Sequence, residues 1–145
     1  MSVRTTHKTK LQTLLQTITY NGSNLVAEDH YINTADSYPY LFITSGDTTL
    51  DFNDNRNYNY KWTYNINLVF KFDDSISQSQ LEVQMDDLEF LIMTQLASAS
   101  ARDGQGWLDC TIDKVSAPFQ DDITITDNVV YKTFSIIIRD ITQFA

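Results

Sequence analysis

Basic residues are scarce in this chain. Ten Lys and Arg stand against nineteen Asp and Glu in 145 residues, a formal net charge of −9, and only Arg4, Lys8 and Lys10 cluster. Affinity for nucleic-acid phosphates is carried by Lys and Arg that release counterions, so this balance argues against binding to the DNA or RNA backbone. The single cysteine, Cys110, excludes an internal disulfide and a cysteine-based zinc cluster. With Leu108 and Ile112 at alternating positions beside it, Cys110 reads as an inert core thiol. Four glycines leave neither a P-loop nor a dinucleotide fingerprint. Of two histidines, His7 falls in a terminus expected to be loose and His30 in a stretch without pattern, so a nucleophile–base pair is not expected. No apolar run reaches the about 18 residues of a membrane span. Residues 1–10 are polar and basic with no apolar signal core, and the expectation is a protein that stays in the cytoplasm where it is made.

What the chain has is length in one strand. Across residues 58–72 every even position is large and apolar or aromatic, from Tyr58, Tyr60, Trp62 and Tyr64 to Ile66, Leu68, Phe70 and Phe72, while the odd positions are nearly all polar. That is a two-faced β-strand. At about 3.3 Å per residue it reaches roughly 50 Å, far beyond the usual strand of about 5 to 6 residues. A domain of 145 residues has no core that long, so the Tyr- and Asn-rich first half is expected to project and to find its burial against another chain.

The remaining pattern gives the elements. Leu11, Leu14, Leu15 and Ile18 recur at helical spacing, with Asn21-Gly22 as the expected stop; residues 25–36 are ambiguous. A strand is expected to open at Tyr38-Pro39-Tyr40, turn or bulge at Ser45-Gly46-Asp47, and lead through Asn53, Asp54, Asn55, Arg56 and Asn57, a run suited to a hairpin tip. Ser79 and Glu82 form a capping-box signal ahead of Leu81, Met85, Leu88, Ile92 and Leu96. One helix over residues 79–102 follows, with Gly104 as its stop. Strands are expected at 107–115 and 129–141, with a short one at 123–125. Ile136, Ile137 and Ile138 mark the last strand as central. The expectation is one α+β domain, residues 1–145: a four-stranded or slightly larger sheet of two hairpins, one long helix packed across it, a short N-terminal helix, and a projecting hairpin at about 45–64.

Candidate chemistry is thin. Asp51, Asn53, Asn55 and Asn57 alternate as calcium-loop ligands do, but Arg56 occupies the place of the required glycine and Trp62 that of the bidentate Glu. Asp109, Asp113 and Lys114 loosely follow a metal-dependent nuclease pattern, yet on a strand Asp113 and Lys114 point to opposite faces. Glu82, Asp86 and Glu89 read as a solvated helix face. A base-stacking platform of Tyr58, Tyr60, Trp62 and Tyr64 would need a basic groove that Lys61 and Lys71 do not make. No catalytic, cofactor-binding or metal site is expected. The residues expected to carry interaction are Asp51, Asn53, Asp54, Asn55, Arg56, Asn57, Tyr58, Tyr60 and Trp62.

The order of these features, from a short N-terminal helix through the Tyr38-Pro39-Tyr40-Leu41-Phe42-Ile43 opening, Gly46-Asp47, the long aromatic strand and one long helix to two final strands, resembles the tail terminator (tail completion) proteins of long-tailed bacteriophages. The resemblance implies a structural virion protein without cofactor or turnover, assembled in the host cytoplasm. It implies a homo-hexameric ring that caps the head-proximal end of the tail tube, stops its polymerisation and meets a neck or head-completion protein. Genomic DNA would pass through the lumen without specific binding, repelled by the acidic wall; no membrane is involved. A neck or minor tail protein shares much of this architecture. A small α+β ligand-binding domain or enzyme is the reading of another class.

Overall fold

The computed structural model describes residues 2–31, 38–53, 58–71, 77–120 and 129–142. Asp54, Asn55, Arg56, Asn57 and the strand expected at 123–125 lie outside them.

The helical stripe of Leu11, Leu14 and Leu15 continues back through His7, giving α1, Val3–Gln16, whose cap is the Ser2 side chain accepting from the Thr5 amide. Residues 3–10 are therefore helix, and His7 is buried in the body of the protein. Asn21 and Gly22, at φ 52° and 80°, serve a different purpose from the expected helix stop. They are the two-residue turn of a small ribbon, β1 (Thr19–Tyr20) with β2 (Ser23–Asn24), and such turns need positive φ at both central residues.

The ambiguous stretch contains β3, Val26–Glu28, which pairs in parallel with β4, Tyr40–Asn53. β4 runs antiparallel to β5, Tyr58–Lys71. Next come α2, Gln78–Leu96, and the single turn α3, Ala99–Arg102. β6, Asp109–Val115, and β7, Val129–Thr142, complete the chain, with β7 between β5 and β6. The main sheet is thus five-stranded and mixed, in the order β3-β4-β5-β7-β6, beside the two-stranded ribbon and three helices among the described residues.

This corrects the expected four-stranded sheet under one long helix, for two physical reasons. β3 is only three residues, too short for alternation to show. The helix expected over 79–102 begins and ends elsewhere: Ser77, not Ser79, is the N-cap, and its capping-box partner is Gln80. The chain then leaves the helix at Ala97, and the Ser98 side chain caps α3 afresh by accepting from the Ala101 amide. Gly104 is required by proximity, since a Cβ there would lie 2.8 Å from the Ser100 carbonyl oxygen. No described helix is long and apolar enough to cross a membrane.

One face of the sheet carries the core. Leu41, Ile43, Tyr64, Ile66, Leu68, Phe134, Ile136 and Ile138 pack against Leu11, Leu14 and Leu15 of α1 and Met85, Leu88, Ile92 and Leu96 of α2. Each such side chain stabilises the fold by roughly 1.5–3 kcal/mol. Cys110 is buried here, and burial, reinforced by the Asp109 charge, pushes its thiol up to about 12. Lys132, also on this face and 6% exposed, is held by Glu89 of α2 at 3.1 Å. Glu89 thus leaves the solvated acidic face on which Glu82 and Asp86 remain.

The opposite face is of another character. Its middle is a polar ladder in which Thr133 donates to Asn67 Oδ1 at 2.9 Å and Ser135 to Asn65 Oδ1 at 3.1 Å. At one end lies a second apolar cluster of Tyr40, Phe42, Val69 and Val129, flanked by Tyr38 and Tyr131, to which none of the described helices contributes a residue.

Candidate functional site: the three-stranded tip and its root

β4, β5 and β7 are each 14 residues long, about 48 Å at the usual rise. α1 reaches only part of that length. Its first turn touches Gly46, Thr48 and Thr63 through Arg4, and its second touches Tyr64 and Asp140 through His7. Beyond those positions the strands continue in register, with Leu50 opposite Tyr60, Asn53 opposite Tyr58, and Tyr58 opposite Thr142. At this end β7 accompanies β5, so the described strands form a three-stranded arrangement, β4-β5-β7, where a two-stranded hairpin was expected.

The root of this tip is built around two residues of α1. The Arg4 guanidinium donates to the Gly46 carbonyl at 2.6 Å, to the Thr63 carbonyl at 3.2 Å and to the Thr48 hydroxyl. It also lies over the rings of Trp62 and Tyr64, 5.3 and 5.1 Å from their centroids. Gly46 and Asp47 sit in a bulge of β4 between Ser45 and Thr48, which leaves backbone carbonyls unpaired; Arg4 satisfies one of them and so fixes where the tip begins. A side chain at Gly46 would crowd Thr63, whose methyl would be 3.1 Å from the new Cβ.

His7 is 2% exposed and uses both ring nitrogens. Nδ1 is 2.7 Å from the Tyr64 hydroxyl and Nε2 is 2.7 Å from Asp140 Oδ2. Trp62, Tyr64 and Trp107 meet its ring edge-on at 5.7–5.8 Å. Burial lowers its pKa below 6.5, opposed by the hydrogen bond and charge of Asp140 and reinforced by Lys10 and Arg4. Burial likewise raises the Tyr64 hydroxyl. This His–Asp–Tyr set ties α1 to β5 and β7, with His7 and Tyr64 buried and Asp140 partly exposed.

Of the residues expected to carry interaction, Trp62 is partly buried against the core and belongs to the root. Tyr60 is partly exposed, 5.8 Å from Trp62, and its cross-strand neighbour Leu50 is 51% exposed. Asp51 and Asn53 lie in β4 and Tyr58 in β5. Sequence reasoning missed Arg4, His7 and Asp140. The first two were within reach, since positions 4, 7, 11, 14 and 18 follow one helical stripe.

Elsewhere, Asp109 pairs with Arg139 at 3.5 Å while Lys114 lies opposite Ser135, past a bulge at Asp113. Among the described residues no group of three His, Cys, Asp or Glu side chains is placed to hold a metal ion. Surface hollows of about 290 and 420 Å³ flank the β1–β2 ribbon. A third, of about 190 Å³, lies on the open sheet face among Tyr31, Phe42, Asn67, Phe119 and Tyr131. None of the three includes His7.

The sequence matches no described protein family and no curated protein. Its fold is shared with a solved chain from the "virion of native gene transfer agent (GTA) particle", at a TM-score of 0.55 and 9% identity, over 97% of this chain and 96% of that one. The likeness spans the whole sheet-and-helix unit, and what it shows is a shared fold.

Proposed function

We propose that this chain is a structural protein of a phage-like virion that forms a ring on the head-proximal end of a tail tube, ends tube polymerisation and joins tail to head. The observation that carries this reading is the three-stranded tip, which outruns its own core and presents Leu50 and Tyr60 to whatever lies beyond. The end-to-end likeness to a chain of a gene transfer agent virion supports the structural-virion part of it. The acidic balance suits a channel past which DNA slides, because a chain of net charge −9 holds phosphate poorly. In this arrangement the tip lies along the ring axis and engages the tube or the next ring.

The test is mass photometry with negative-stain imaging at rising concentration, alone and with tail-tube protein. Closed rings that arrest tube growth are expected. A strictly monomeric species under all these conditions overturns the reading, and rings that bind heads while ignoring tubes would make the chain a neck protein.

A further inference from the structure

α2 carries an exposed apolar stripe on its outer side. Val83, Phe90 and Met93 follow one another along it at spacings of seven and three, and they are 59%, 71% and 38% exposed. That is the recurrence of a seam that packs on another helix, and from Val83 to Met93 it runs about 15 Å. Asp86 and Asp87 stand one turn before Phe90 and Glu82 stands next to Val83, all three exposed.

Beside Phe90 the helix shares a hollow of about 420 Å³ with the β1–β2 ribbon, walled by Thr19, Tyr20 and Asn21 on one side and by Asp87, Phe90 and Leu91 on the other. Burial raises the Tyr20 hydroxyl above its ordinary value, opposed by a hydrogen bond to Asn21 and reinforced by the Asp87 charge. The carboxylate thus acts on the aromatic wall across from it. Neither wall has a cation of its own. The sequence holds no Lys or Arg between Lys10 and Arg56 or between Lys71 and Arg102, which takes in the ribbon and the whole of α2. Lys132 meets α2 from the sheet side, where Glu89 holds it. Two aromatic residues and a carboxylate without a base suit a cationic side chain. Ring faces attract ammonium and guanidinium groups, their long stems cover apolar surface, and Asp87 supplies the counter-charge.

We infer that the α2 stripe and its hollow dock a basic, apolar helix of another protein, an Arg or Lys of that helix entering between Tyr20 and Phe90 toward Asp87 while its apolar residues cover Val83 and Met93. Charge selects this occupant. An acidic segment would be repelled by Glu82, Asp86 and Asp87, and a wholly apolar one would leave them desolvated without partners. A second copy of this chain fits less well, because most of its described cations are already engaged. Arg4 is on the β4 bulge, Lys10 on the Gln105 carbonyl, Lys71 over the Tyr38 ring, Lys132 with Glu89 and Arg139 with Asp109. The inference stands apart from the reading above, since it needs neither a ring nor a tube.

The test is a selection from a library of displayed helical peptides with randomised outward positions, run on the wild type and on Phe90→Ser. Phe90 is exposed, so circular dichroism and thermal unfolding should show the variant to be folded. Peptides retained by the wild type should be enriched in Arg and Lys beside Leu, Ile or Phe. The tightest of them should bind Phe90→Ser at least about tenfold more weakly and Asp87→Asn about threefold more weakly, and should lose affinity as salt is raised. Resonance shifts on binding should centre on Tyr20, Asp87 and Phe90. Selection without a basic bias, binding that survives Phe90→Ser, or no retained peptide would overturn the inference. Wild-type self-association that Phe90→Ser abolishes would give the stripe to a second copy and overturn it as well.

Discussion

At the residue scale, His7 is buried with both ring nitrogens engaged, Nδ1 2.7 Å from the Tyr64 hydroxyl and Nε2 2.7 Å from Asp140 Oδ2. Burial disfavours the imidazolium and the Lys10 and Arg4 charges add to this, so the folded pKa is lowered from 6.5 although Asp140 opposes the shift. The unfolded chain then binds the proton more readily than the folded one, so stability is full above pH 6.5 and is lost as pH falls below that value toward the folded pKa. Urea denaturation at steps from pH 7.5 to 5.5 should show a falling midpoint. His7→Gln should cost about 1–3 kcal/mol at pH 7.5, through loss of a buried hydrogen-bonded group, and should flatten the slope; an unchanged slope would mean another group titrates. The terminus around His7 looks polar in sequence. Its order comes from partners 57 and 133 residues away, which local pattern does not display, although the stripe from Arg4 to Ile18 marked the side that faces inward.

At the element scale, what was legible followed period. β5 shows its alternation over its whole described length and β7 shows a two-sided apolar run, and both are central strands. Boundaries were less legible because two serines compete for each role. Ser77 and Ser79 both precede the apolar repeat of α2, and the choice is made by which side chain reaches the amide three residues on. Ser77 accepts from the Gln80 amide at 3.2 Å while its own amide donates to Gln80 Oε1 at 3.0 Å. Ser77→Ala should therefore cost about 1 kcal/mol, and Ser79→Ala much less, as read from chemical denaturation of the two variants side by side. A larger loss from Ser79→Ala than from Ser77→Ala would place the cap at Ser79. β3 was invisible for a different reason. Three residues paired in parallel with β4 derive their stability from Ala27 packing into the core and from Gln12 and Gln16 of α1, both donating to the Ala27 carbonyl, and none of this leaves a periodic trace.

At the scale of the whole molecule, two surfaces are open in different directions: the long faces of the sheet-and-helix layer, and the tip that extends past α1. The strand length that announced the tip was readable from alternation alone, whereas the third strand and the Arg4 clamp depend on long-range pairing. The division of labour predicts separable variants. Leu50→Ser with Tyr60→Ser removes apolar area from a cross-strand pair beyond the reach of α1, where Leu50 is half exposed. Thermal unfolding should shift little, by about 1 kcal/mol or less, while tube capping is lost. Trp62→Ser, one alternation closer to the body, removes a side chain that packs on the core, meets His7 edge-on and lies under Arg4, and should cost about 3 kcal/mol of stability. Both variants are to be measured by denaturation and by the length distribution of tubes grown in their presence. If the Leu50/Tyr60 variant still caps tubes, the tip is not the contact. If it unfolds as readily as Trp62→Ser, the far end of the ribbon is part of the core, and the extra strand length serves the fold of one subunit instead of the junction between subunit and tube.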